Sequence, residues 1–130
     1  MTDKRYTLSK KERLSWKRSI DLLFEKGQSF VAFPLRVIYL STAEKLPAPV
    51  CMMVSVPKRN IKRAVGRNLI KRRIREAYRI HKHDPLEPLN EREKYLMVAF
   101  LYLDKEARPF AEIEKAMTKA INRIGQNSML

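Results

Sequence analysis

The chain has 130 residues, 45% apolar and 32% charged, which suits one compact domain able to bury a core without metal or disulfide staples and excludes a disordered polymer. It has no apolar run of about eighteen residues or more, and Met1-Thr2-Asp3-Lys4-Arg5 lacks the apolar stretch and small-residue cleavage site of a secretory leader, so a cytoplasmic protein is expected. Cys51 is the single cysteine, which excludes an internal disulfide, and 28 Lys and Arg against 14 Asp and Glu leave a formal charge of +14. Such an excess persists where a polyanion neutralises it, nucleic acid first and an anionic membrane surface second.

The first element is a helix ending near Lys26, with Trp16, Ile20, Leu23 and Phe24 at helical spacing and Gly27 as its stop. Its start has two readings: Ser9 with Glu12 forms a capping box, and Ser15 is an equally good cap for a shorter helix preceded by an extended arm from Leu8 to Leu14. Phe30 to Leu40 is rich in aromatic and β-branched residues and is interrupted at Pro34, which predicts a short edge strand and then a longer one. Along the longer strand Arg36, Ile38 and Leu40 share one face and Leu35, Val37 and Tyr39 the other, and either face can be the wet one. Ser41 to Pro49 reads as a hairpin loop into another strand, Val50 to Val56.

From Ile70 the apolar residues Ile70, Ile74, Ala77 and Tyr78 form one helical stripe. Asn68, Lys71, Arg72, Arg75, Arg79 and Lys82 fall opposite it, and Arg67 and Arg73 flank it. Ile61 and Val65 are out of phase and Gly66 disfavours helix, so Pro57 to Val65 is expected as a loop and the helix is expected to begin near Arg67-Asn68. His83 to Lys94 reads as a connection, Tyr95 to Leu103 as a strand covered on at least one face, and Pro109 as the opening of a last helix. In that helix Phe110, Ile113, Met117, Ala120, Ile121 and Ile124 make the stripe and Gly125 is its expected stop. The order is αβββαβα in a single domain, 1–130, with 1–8 as a mobile arm and 126–130 as a mobile tail.

Lys58 to Lys82 holds eleven basic residues and one acid, Glu76, and so carries +10 of the +14. Ordinary solvated helix faces mix both signs, often as i,i+4 pairs, so this one is read as a binding face. Arginine outnumbers lysine there, and its planar fork suits phosphates and exposed bases, while Asn68 offers a donor and an acceptor. Catalytic chemistry is sparse. His81 and His83 near Asp84 make an incomplete ligand set and are better read as polar groups suited to a helix C-terminus. Cys51 lies in a predicted strand and reads as an inert core thiol. No Gly-rich phosphate loop or paired-carboxylate motif is found, so the chain is expected to bind rather than catalyse.

Lys62-Arg63-Ala64-Val65-Gly66-Arg67-Asn68-Leu69-Ile70-Lys71-Arg72-Arg73-Ile74-Arg75-Glu76 resembles the signature of the bacterial ribonuclease P protein family, matching Ala-Val-x-Arg-Asn-x-x-Lys-Arg-x-x-Arg at every fixed position. Leu8-Ser9-Lys10, Ile20 to Gly27 and Val54 to Arg59 extend the resemblance over about Leu8 to Ile124. It implies an α+β sandwich, ribosomal protein S5 domain 2-like, whose sheet contains a left-handed βαβ crossover.

The function implied is that of a subunit of a metal-dependent endoribonuclease that matures the 5′ end of tRNA, with catalysis by the RNA. Its partners are then the catalytic RNA and precursor tRNA, with no membrane and no obligate protein partner. Mg²⁺ is held mainly by the RNA, and none is bound tightly by the protein. The RNA-binding residues carried over are Lys58, Arg59, Lys62, Arg63, Arg67, Asn68, Lys71, Arg72, Arg75 and Arg79. A cleft between the first helix and the sheet is implied for the single-stranded 5′ leader, with Phe24, Arg36 and Tyr39 as candidates. Ile20 stands where the family commonly has a second aromatic. The rival readings are a structural ribosomal protein, a protein-only nuclease and a DNA major-groove binder.

Overall fold

The computed structural model describes residues 12–14, 17–42, 46, 48, 50–81 and 95–128. Among them the order is α1 (Lys17–Lys26), β1 (Gln28–Ala32), β2 (Leu35–Thr42), β3 (Val50–Ser55), α2 (Ala64–His81), β4 (Tyr95–Tyr102) and α3 (Phe110–Ser128). The αβββαβα order is the expected one. Trp16, the caps at Ser9 and Ser15, the 1–8 arm, Lys82, His83 and Asp84 lie outside the described residues.

The four described strands form one sheet in the order β1-β2-β4-β3. β1 and β2 pair antiparallel about Phe33-Pro34, β2 and β4 pair antiparallel, and β3 lies parallel to β4. The hairpin expected between β2 and β3 is therefore not formed, because β4 is inserted between them. The reason is burial: β4 is almost wholly apolar and can be covered on both faces only in the middle of the sheet. The crossover through α2 delivers it there, parallel to β3.

Each sheet face has its own core. Leu35, Val37 and Tyr39 of β2 and Leu96, Val98 and Phe100 of β4 meet Ile70, Ile74, Ala77 and Tyr78 of α2 and Ile113, Met117, Ile121 and Ile124 of α3. On the other face Ile38, Cys51, Met97 and Ala99 pack under Leu14 and Leu23. Leu23 is fully buried, which contributes about 2 kcal/mol towards holding α1 on the sheet. The outer edge of β3 is met by the 12–14 segment, where the Leu14 N–H donates to the Met52 carbonyl at 2.7 Å.

Two local expectations change. α2 begins at Ala64 rather than Arg67-Asn68, with the Arg67 N–H already bonded to the Arg63 carbonyl at 3.1 Å. Ile61 is out of helical phase because it packs against the core from the preceding loop, and a Cβ at Gly66 would come within 2.9 Å of its Cγ2. Gly125 does not stop α3, which runs on to Ser128. Gly125 is buried with no positive φ, so it behaves as an ordinary helical residue.

Candidate nucleic-acid interface

α2 turns its apolar stripe to the sheet, and the opposite side therefore faces water. Asn68 and Arg72 are exposed and Lys71, Arg75 and Arg79 half-buried, while Lys58, Arg59, Lys62 and Arg63 stand exposed on the loop leading in. The same outward face carries two apolar residues, Val65 (81% exposed) and Leu69 (37% exposed). The turn that displays the loop is tied down by Asn60, whose Nδ2 donates to the Tyr102 carbonyl at 3.0 Å.

The arginines of this segment divide by helical position. Arg67 lies towards the stripe, and its Nη1 donates to the carbonyls of Ile61 and Lys62 at 3.0 and 2.6 Å, which braces the loop. Arg73, on the other flank, reaches the Arg108 carbonyl at 2.6 Å and ties α2 to the segment before α3. Arg79 holds the single acid, Glu76, by two bonds of 3.1 and 2.5 Å, and this keeps the Glu76 carboxyl below the usual carboxylate range. Arg75 is driven below the ordinary arginine range by partial burial and secondarily by the charge of Arg13 on the segment beside β3. Arg13 and Arg75 thus lie close enough at that edge for their charges to repel.

The second candidate surface is the sheet face under α1. Register aligns Val31, Arg36, Leu101 and Ser55 across all four strands, with Val31 and Arg36 exposed and Leu101 and Ser55 half-buried. α1 covers the neighbouring Ile38, Met97 and Ala99 and leaves this row open. Phe24 is 44% exposed, whereas Leu23 beside it is fully buried.

Tyr39 does not share the face of Arg36. It lies on the opposite face, buried, with its hydroxyl donating to Gln28 Oε1 at 2.9 Å and its ring edge-on to Phe30 at 5.9 Å. The reason is parity: residues 36 and 39 are an odd number apart on one strand and point to opposite faces. Leu101 and Ser55 are parts of this surface that sequence reasoning missed, because only the register shows which residues of β3 and β4 stand beside Arg36.

The remaining chemistry-bearing residues have structural partners. His81 Nε2 stands 2.9 Å from Glu114 Oε2, joining the ends of α2 and α3. The Cys51 thiol donates to the Ala48 carbonyl at 3.7 Å, and burial raises its pKa above the ordinary thiol value. Among the described residues no group of three or more His, Cys, Asp or Glu stands close enough to hold a metal ion. No described helix is long and apolar enough to cross a membrane.

A two-faced α+β sandwich that displays an arginine-rich helix and loop beside a half-open sheet has the charge distribution typical of nucleic-acid-binding domains. Comparison with known proteins gives that class a family. A family model described as Ribonuclease P matches residues 8–125, and the chain belongs to the ribonuclease P protein family. The ribonuclease P protein component of Porphyromonas gingivalis (strain ATCC 33277) is 43% identical over 122 residues, 94% of this chain and 89% of that one. The same fold is seen in the RNase P protein from Thermotoga maritima, with a TM-score of 0.68 at 21% identity over 87% of this chain and 97% of that one. It is seen again in the Staphylococcus aureus RNase P protein, with a TM-score of 0.65 at 23% identity over 88% of this chain and 95% of that one. Membership carries a role in tRNA 5′ processing as the protein part of a ribonucleoprotein.

Proposed function

We propose that this chain binds the catalytic RNA of ribonuclease P through α2 and its leading loop, and the 5′ leader of precursor tRNA through the open sheet face beside α1. The observation that carries the reading is the division of labour among the arginines. Arg67 and Arg73 spend donors on loop carbonyls, and the rigid helix they brace presents Asn68, Lys71, Arg72 and Arg75 outward, with Lys58, Arg59, Lys62 and Arg63 on the loop. Holding cations on a braced element lowers the ordering cost of phosphate contacts. Val65 and Leu69 add apolar surface on which sugars or bases can rest.

At the second surface Arg36 supplies charge, and Phe24, Val31 and Leu101 supply apolar area against which unpaired bases can stack or pack. A leader bound there contributes energy that mature tRNA lacks, which favours substrate over product. Among the described residues no cluster of three or more His, Cys, Asp or Glu stands at either surface. In this reading the RNA performs the hydrolysis and holds Mg²⁺, and the protein lowers the repulsion between two large polyanions in the cytoplasm.

The test is cleavage of a precursor tRNA at low Mg²⁺ by a bacterial ribonuclease P RNA, with and without the protein and with an Arg72→Ala/Arg75→Ala variant. Stimulation by the wild type that the variant loses supports the reading. RNA binding without stimulation would instead favour a structural ribosomal role, and cleavage without added RNA would make the chain itself the catalyst.

A further inference from the structure

Lys115, Lys119 and Arg123 of α3 repeat at every fourth residue, so they stand in a line with about 6 Å of helix axis between neighbours. All three are exposed, and none makes an ion pair among the described residues. They form one wall of a groove of about 550 Å³ whose other wall is the β1–β2 hairpin. The hairpin contributes two exposed apolar side chains, Val31 (59%) and Phe33 (60%). Arg123 lies over the Phe30 ring at 4.5 Å and Arg108 over the Phe33 ring at 5.8 Å. Arg108 is already neutralised by Asp104 and Glu112, so the charge available to a ligand comes from the other three cations.

Unpaired cations in a row beside exposed aromatic and aliphatic surface match the backbone and bases of a single RNA strand. The position of the groove says which strand. Val31 lines it and is also the outermost member of the row Val31, Arg36, Leu101 and Ser55 on the face proposed for the leader. The other end of that row, Ser55, is on β3, the strand that leads into the loop before α2. A strand that enters beside α2 and crosses the row therefore leaves over the β1 edge, directly into the groove.

We propose that this groove holds the distal part of a long 5′ leader, with Lys115, Lys119 and Arg123 on its phosphates and Phe33 against a base. The proposal rests on the leader-binding reading above and extends it around the sheet edge. It makes the enzyme's affinity depend on leader length beyond what the sheet face alone holds.

The experiment measures affinity of the holoenzyme for mature tRNA and for precursors with leaders of about four and about twelve nucleotides, a range typical of single-strand grooves. The proteins are the wild type, Lys115→Ala/Lys119→Ala/Arg123→Ala, Phe33→Ala, and the charge-conserving Lys115→Arg/Lys119→Arg. Extending the leader should tighten wild-type binding about tenfold. The triple variant should lose that gain and about two units of the logarithmic salt slope for the long leader. It should keep its affinity for the short leader and for the catalytic RNA within about twofold. Phe33→Ala should lose part of the gain and the arginine variant none.

A triple variant that keeps the long-leader gain, or a wild type that shows no gain, overturns the proposal. So does a triple variant that loses affinity for the catalytic RNA, since the groove then faces that RNA. Failure of the underlying reading looks different: the wild type would bind the short-leader precursor no better than mature tRNA.

Discussion

Arg73 donates from Nη1 to the main-chain carbonyl of Arg108 at 2.6 Å, so an arginine of the most basic stretch of the chain is spent on joining α2 to the segment that opens α3. Its neighbour Arg72 points to water. Arg73→Ala should therefore cost about 1–2 kcal/mol of stability, the worth of a charged hydrogen bond in a half-buried setting. Arg72→Ala should leave stability within about 0.5 kcal/mol and reduce the salt slope of RNA binding by just under one unit. Urea titration and salt-dependent binding of the two variants separate these effects, and equal losses of affinity with no loss of stability would refute the assignment.

The two faces of β2 predict a second contrast. Arg36→Ala should reduce the preference for leader-bearing over mature tRNA about three- to tenfold, as loss of one charged contact does. Tyr39→Phe removes the bond to Gln28 on the buried face and should cost about 1 kcal/mol of stability with no change in that preference. Competition binding read beside thermal unfolding checks both. A leader defect in Tyr39→Phe would show that the two faces communicate.

Gly27 is required for closeness rather than for unusual backbone geometry. Its N–H closes α1 on the Leu23 carbonyl at 2.8 Å with no positive φ, but a Cβ there would stand 2.4 Å from the same carbonyl oxygen and 2.7 Å from Ile38 Cγ2. Backbone cannot yield as a side-chain tip can. Gly27→Ala should destabilise by about 1–3 kcal/mol and shift α1 on the sheet. A variant as stable as the wild type in denaturant would contradict the packing described.

The alkaline limb of stability should be set by buried groups. Burial raises the pKa of Tyr78 above the ordinary 10.0 and that of Cys51 above 9.0, and it also raises Tyr102. Above those ordinary values the unfolded chain releases protons that the native chain retains, so stability present at neutral pH falls as pH rises. Each group contributes up to about 1.4 kcal/mol per pH unit between its unfolded and folded pKa. Unfolding followed from pH 8 to about 11 should show this decline, less steep in Tyr78→Phe. An unchanged slope in that variant would exclude Tyr78 as a source.

The elements and the basic helix were legible in the sequence because helical and strand periodicities are local. Ile70, Ile74, Ala77 and Tyr78 declare an inward face whatever they pack against, and the cations opposite then face out. The family signature added the identity of that face. Even the odd spacing of Arg36 and Tyr39 was sufficient to separate them, although position in the family had grouped them. What only the tertiary structure decided was everything that depends on pairing between distant segments. The insertion of β4 between β2 and β3, the row from Val31 to Ser55, the groove beneath Lys115 and Lys119, and the tie from Arg73 to Arg108 join residues that no local period relates. A side chain's period records how its own element is buried; which partner it meets is set by the crossover that brings the elements together.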